Sequence, residues 1–179
     1  MSTRSSPASS ADPAPDRAAA FAPVADARAR VLILGSLPGV ESLRRAQYYA
    51  HPQNGFWRLV GAVIGADLVS LPYEARLTRL GDARIALWDV IASAARQGSL
   101  DSAIRAPEPA DLARLVARLP ELRAVAFNGG TAARIGRKQL AGAAGTLTLI
   151  DLPSSSPAHA RLDFEQKRAR WSVLAEHLG

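Results

Sequence analysis

Hydrophobic residues gather into four short runs, at Val31–Leu34, Ile85–Trp88, Ala124–Phe127 and Leu147–Leu152, each followed by loop-forming residues. Short apolar runs with such punctuation predict strands buried on both faces. Between them the spacing turns helical. Phe56–Ile64 carries apolar residues at helical intervals, Leu112–Leu119 repeats leucine every three or four residues, and Phe164–Leu178 closes the chain. Strands alternating with helices predict an α/β fold with a parallel sheet covered on both faces. Residues 1 to 20 are Ser, Ala, Pro and charge without apolar periodicity, so a disordered tail is expected there. The remaining residues, 21–179, suit a single domain.

In an open parallel sheet, ligands bind beyond the carboxyl ends of the strands. The four loops at those ends read Gly35-Ser36-Leu37-Pro38-Gly39, Asp89-Val90, Asn128-Gly129-Gly130 and Pro153-Ser154-Ser155-Ser156-Pro157-Ala158-His159. Each is rich in small or polar residues, where a chain can approach a phosphate closely. Singly, each also reads as an ordinary turn. Their convergence on one sheet edge is the stronger signal.

Composition narrows the chemistry. The formal net charge is +6, and all but Lys138 and Lys167 of the 22 basic residues are arginine. Arginine forks onto phosphates and stacks on bases, so a nucleic-acid partner is one reading and a compositional bias the other. There are no cysteines and only His51, His159 and His177, which disfavours disulfides, iron–sulfur clusters and imidazole-rich metal sites. Neither metal nor cofactor is expected. No apolar run approaches the roughly 20 residues of a membrane span, and no signal-peptide core follows Arg4. The expected protein is a cytoplasmic monomer, with a transit peptide as the minor alternative.

The densest segment is Tyr48-Tyr49-Ala50-His51-Pro52-Gln53-Asn54-Gly55-Phe56-Trp57. A flat aromatic beside an amide in one loop is what holding a flipped base and orienting a water would need. Core packing of Phe56, Trp57 and the tyrosines is the plainer reading.

The succession GSLPG, YYAHPQNGFW, ALWDV and LPSSSP resembles the uracil-DNA glycosylase superfamily, above all its hypoxanthine-DNA glycosylase branch and next the mismatch-specific uracil/thymine branch. The resemblance runs from about Phe21 to the C-terminus. It implies a three-layer α/β/α sandwich around a four-stranded parallel sheet. It also implies a monofunctional enzyme that flips deaminated bases, hypoxanthine or uracil, out of DNA and hydrolyses the N-glycosidic bond with water.

Carried over by position, the resemblance makes Asn54 and Asp89 the catalytic candidates. Leu37 stands where the mismatch-specific branch keeps a water-positioning asparagine, and leucine cannot orient water, so the function is expected at Asn54. Gly35, Ser36, Leu37, Tyr49, Phe56 and Asn128 form the expected base-binding set. Pro153, Ser154, Ser155, Ser156, Pro157, His159 and Arg161 form the expected DNA-binding set, on the loop that enters the helix when a nucleotide leaves it. Plainer roles stay open: Asp89 as the N-cap of a following helix, Asn54 as a turn residue. Two further functional readings also stand. One is a non-catalytic module that binds DNA lesions. The other is a serine hydrolase built on Ser36, His159 and Asp163.

Overall fold

The computed structural model describes residues 17–179. Along the chain come β1 (Arg17–Ala19), β2 (Val31–Gly35), α1 (Val40–Arg45), α2 (Phe56–Ile64), α3 (Tyr73–Asp82), β3 (Ile85–Asp89) and β4 (Ile91–Ala95). There follow β5 (Arg105–Pro109), α4 (Leu112–Ala117), β6 (Ala124–Asn128), α5 (Gly130–Leu140), β7 (Thr148–Leu152) and α6 (Phe164–Trp171), with 3-10 turns at Asp101–Ala103 and Ser172–His177. The tail expected over residues 1–20 falls mostly outside the described residues. Where the two overlap, Arg17–Ala19 is a strand paired with β4.

The four strands with apolar runs form one parallel sheet in the order β3-β2-β6-β7. Alternation along each strand supplies a different core on each face. Leu32, Leu34, Ala86, Val125 and Phe127 meet Leu112 and Leu115 of α4 and Ala132, Ala133 and Leu140 of α5. Val31, Ile33, Ile85, Leu87, Ala124 and Ala126 meet Phe56, Trp57, Leu59 and Val60 of α2, Leu80 of α3 and Trp171 of α6. Two cores separated by one sheet make the three-layer α/β/α sandwich. They also explain why these strands read as continuous hydrophobic runs. The partnering of Gly35 with Asp89 and of Asn128 with Leu152 brings the four strand ends level.

Further features depart from the sequence expectation. Asp89 caps no helix: the chain continues into β4, which pairs with β1 and β5 in a second, antiparallel sheet. The amides of Val90 and Ile91 are already donated to the carbonyls of Gly35 and Ser36, and this holds the segment extended. Helix α5 escaped the apolar pattern because its inward positions include Ala132, Ala133 and Gly136. A Cβ on Gly136 would collide with the Phe127 ring, so smallness there lets the helix lie close on the sheet. Helix α3 buries only Leu80, too little for an apolar stripe. No helix among the described residues is long and apolar enough to cross a membrane.

Candidate active site

Beyond the level strand ends lies a cavity of about 700 Å³, inside the usual range for a small-molecule site. Asp89, at the end of β3, sits in its floor with 3% of its surface exposed. Its carboxyl lies directly over Gly35 of the neighbouring strand. A Cβ built on Gly35 would stand 2.6 Å from Asp89 Oδ1 and 2.9 Å from Tyr49 Oη, so only glycine fits. Asp89 Oδ2 is buried without a hydrogen-bond partner among the described residues. Burial pushes the Asp89 pKa from 3.8 up to about 7; the Arg96 guanidinium opposes the rise and Asp101 adds to it. A carboxyl poised in this way changes protonation near neutrality, as groups at functional sites often do.

Tyr49 is held with φ +53°, a left-handed conformation uncommon for a non-glycine residue. That turn separates it from its neighbour. Tyr48 is buried in the core, touches the cavity wall only from there, and takes the indole N–H of Trp57 on its carbonyl at 3.2 Å. Tyr49 lines the cavity with one ring face stacked on Phe56, centroids 3.7 Å apart and planes 9° from parallel. Its buried Oη makes no full hydrogen bond among the described residues, though the Asn128 side chain stands close to it. Burial and the Asp89 carboxyl push its pKa up, and nearby Asn128 opposes the rise.

The serine loop is fastened from several sides. Asn128 Nδ2 donates to Ser155 Oγ at 2.9 Å, and Asn128 Oδ1 accepts from the Ser155 amide at 2.8 Å. The Gly55 amide donates to the Ser155 carbonyl, Trp171 Nε1 to the Pro153 carbonyl, and Lys167 Nζ reaches the Ser156 carbonyl at 3.4 Å. Gly129, at φ +103°, leaves room for Ser154, which lies 3.0 Å from where a Cβ would be. Asn54 opens α2: its Oδ1 accepts from the Phe56 amide at 2.9 Å, which fixes the side chain beside the cavity.

The profile of the Uracil DNA glycosylase superfamily matches residues 22–175, almost the whole described chain. The chain belongs to the uracil DNA glycosylase superfamily. It is 41% identical over 157 residues to a hypoxanthine DNA glycosylase of Methanosarcina acetivorans, covering 88% of this chain and 97% of that protein. A hypoxanthine DNA glycosylase of Methanosarcina barkeri is 47% identical over 109 residues, covering 61% of this chain and 69% of that protein. A solution NMR structure of a candidate uracil DNA glycosylase from M. acetivorans superposes with a TM-score of 0.81 at 40% identity. It covers 91% of this chain and 99% of that one.

Within this superfamily member, the cavity wall gathers Gly35, Ser36, Leu37, Tyr49, Asn54, Asp89 and Asn128 from the expected base-side residues. From the serine loop it gathers Ser154, Ser155, Ser156, Pro157 and His159. Three expected residues lie off the wall. Phe56 is fully buried and supports Tyr49 from behind, Pro153 is tied to Trp171, and Arg161 is exposed farther along the chain. Asn128 has both ends of its amide committed to Ser155, so its side chain serves as a clamp on the loop. A serine-hydrolase arrangement is not assembled. Ser36 Oγ donates to Asp101 Oδ1 at 2.6 Å, and Asp163 is engaged in the capping box of α6 with Gln166.

Sequence reasoning missed one wall altogether. The hairpin between β4 and β5 brings Ser99, Leu100 and Asp101 to the cavity. Arg96 at its base donates to the carbonyls of Leu37 and Pro38. Arg134, exposed on α5, also lines the mouth and makes no ion pair among the described residues. The alternating small and polar residues of 91–109 carry no apolar signal that would have marked this wall. Among the described residues there is no cluster of three or more His, Cys, Asp or Glu side chains that could hold a metal.

Proposed function

We propose that this chain excises deaminated bases from DNA, hypoxanthine foremost and uracil with it, by water-mediated hydrolysis of the N-glycosidic bond. Superfamily membership makes it a DNA glycosylase, and the names of its Methanosarcina relatives support hypoxanthine. The observation that carries the reading is the unpaired Asp89 carboxyl oxygen buried in the cavity floor. Deamination of adenine converts a ring nitrogen that accepts a hydrogen bond into an N–H that donates one. An ionised Asp89 accepts from that N–H and meets an unfavourable lone pair in adenine. Uracil presents the same pairing of carbonyl and ring N–H.

The flipped base stacks on the free face of Tyr49, whose other face is braced by Phe56. Cleavage builds positive charge on the sugar and negative charge on the departing base. Backbone amides of the Gly35–Gly39 loop stabilise the second, while Asp89 stays on the ring N–H that selects the base. Asn54, its rotamer fixed by the Phe56 amide, has Nδ2 and the second lone pair of Oδ1 to orient the attacking water. The serine loop, with His159 and Arg161, lies along the DNA. The chain acts as a monomer in the cytoplasm, on nucleoid DNA.

The test is a glycosylase assay on duplexes carrying a single inosine or uracil, in EDTA. Free base and an alkali-labile abasic site are the expected products. Specific binding to the lesion without base release would make the chain a lesion-binding module. Activity lost to chelator and restored by a divalent ion would overturn the metal-free mechanism.

A further inference from the structure

Asp89 and the departing base make opposing demands on one cavity. The ionised carboxyl selects the ring N–H, yet the base beside it must leave with a negative charge. Like charges side by side repel, and more strongly where water is scarce, as it is around the buried Asp89. A fixed positive potential has to offset the carboxylate. Arg134 stands exposed at the mouth, where water and salt screen it. A better-placed cation lies behind the wall. Arg96 follows β4 directly and is half-buried, with its Nε buried and unpartnered among the described residues.

The loop after β2 shows what this cation does. The carbonyls of Gly35 and Ser36 accept from the amides of Val90 and Ile91 at 2.9 and 3.1 Å. Those of Leu37 and Pro38 accept from the Arg96 guanidinium, the first at 3.3 Å. Gly35 to Gly39 all line the cavity, whereas Val90, Ile91 and Arg96 do not, so four successive carbonyls are drawn away from it. In a trans peptide the N–H points opposite to the C=O. The amides of Ser36, Leu37 and Gly39 therefore face the cavity, and none donates to a backbone carbonyl among the described residues. Amides turned inward in this way make an anion-binding concavity. Strand continuation orients its first half, and Arg96 orients the second. A guanidinium on the carbonyl end of a peptide also polarises the N–H at the other end.

We infer that Arg96 is a positioning residue for base release: it turns the loop amides toward the base and offsets the Asp89 carboxylate while the base becomes an anion. The inference rests on the glycosylase reading above. It adds a residue that touches neither base nor DNA and acts through the peptides in front of it.

The test compares full-length protein with Arg96→Met and Arg96→Lys. Arg105→Met is the control, an arginine of the same hairpin that donates to the carbonyls of Ser102 and Ile104. Substrates are duplexes carrying hypoxanthine or its 8-aza analogue, and uracil or its 5-fluoro analogue. The substituted base of each pair forms the more stable anion and needs less help from the protein. Single-turnover release is read on the high-pH plateau of each variant, where Asp89 is ionised throughout. Arg96→Met is expected to release hypoxanthine and uracil roughly 10- to 100-fold more slowly, and the analogues with a smaller loss. Lesion binding should stay near wild type, because the anion forms only on the way to cleavage. Arg96→Lys should recover part of the rate, and Arg105→Met should match wild type. The rising limb of the Arg96→Met pH profile should move to higher pH, because the cation that opposes the raised Asp89 pKa is gone and Asp101 remains. Tyr48 and Tyr49 beside it are held neutral by burial. Equal losses on parent bases and analogues would overturn the inference, because Arg96 would then only keep the pocket in shape. Unchanged rates would overturn it too. Should Arg96→Met not fold, the same graded comparison is decisive on Arg96→Gln, which can donate to a carbonyl but carries no charge. Wild-type protein that releases none of the four bases would defeat the glycosylase reading itself, and this inference with it.

Discussion

Asn128 grips Ser155 with both ends of its amide, donating to the hydroxyl at 2.9 Å and accepting from the backbone N–H at 2.8 Å, and both residues are buried. The end of a central strand is thereby joined to the loop proposed to meet DNA. Removing Asn128 would leave a buried donor and a buried hydroxyl unsatisfied, at about 1–3 kcal/mol each. Asn128→Ala is expected to lose stability in urea titration and to weaken duplex binding as the loop loosens. A variant with unchanged stability and lost base release would instead place the Asn128 amide against the base.

Asp89 gives opposite trends for stability and activity with pH. With its folded pKa raised from 3.8 to about 7, the native protein binds an extra proton between those values. Stability therefore falls as pH rises from about 4 to 7 and levels off above. Base release, needing the ionised form, should rise through pH 7. Asp89→Asn should flatten both profiles, be more stable than wild type at pH 8, and lose most turnover. Wild-type rates in this variant would remove Asp89 from the chemistry.

Asn54 combines a structural bond with a proposed catalytic one, and the two separate by substitution. Asn54→Ala removes the acceptor for the Phe56 amide, costing about 1 kcal/mol at the start of α2, along with the water contact. Serine can accept the same amide through its hydroxyl. Asn54→Ser is therefore expected to keep most stability yet release base roughly 100- to 1,000-fold more slowly in single turnover. Wild-type turnover in Asn54→Ser would reduce Asn54 to a residue that starts a helix.

Tyr48 and Tyr49 should respond oppositely. Tyr48→Ala empties a core site and should cost about 3–5 kcal/mol, as large aromatic truncations do. Tyr49→Ala removes the ring that faces the cavity and should cost base release about 10- to 100-fold, equivalent to one aromatic–base stack. Tyr49→Phe discards only a buried hydroxyl that makes no full hydrogen bond among the described residues, so thermal stability should hold or rise. Equal activity losses at positions 48 and 49 would point to packing alone.

The four parallel strands and the helices α2, α4 and α6 were legible in the chain itself. A strand buried on both faces needs a contiguous apolar run such as Val31–Leu34, and a helix on a sheet needs a one-sided stripe such as Phe56–Ile64. The strand-end loops were legible for the same reason, because topology sends them to one edge, and most of their residues do line one cavity. Tertiary structure alone decided the rest. Whether Asp89 capped a helix or entered a strand depended on carbonyls of Gly35 and Ser36 more than fifty residues earlier. That Asn128 clamps Ser155, that Phe56 braces Tyr49 from behind, and that the β4–β5 hairpin supplies Leu100 are pairings across long sequence distances. Periodicity records which face of an element is buried. It does not record which partner a buried polar group finds, because a hydrogen bond depends on positions that only the packed chain brings together.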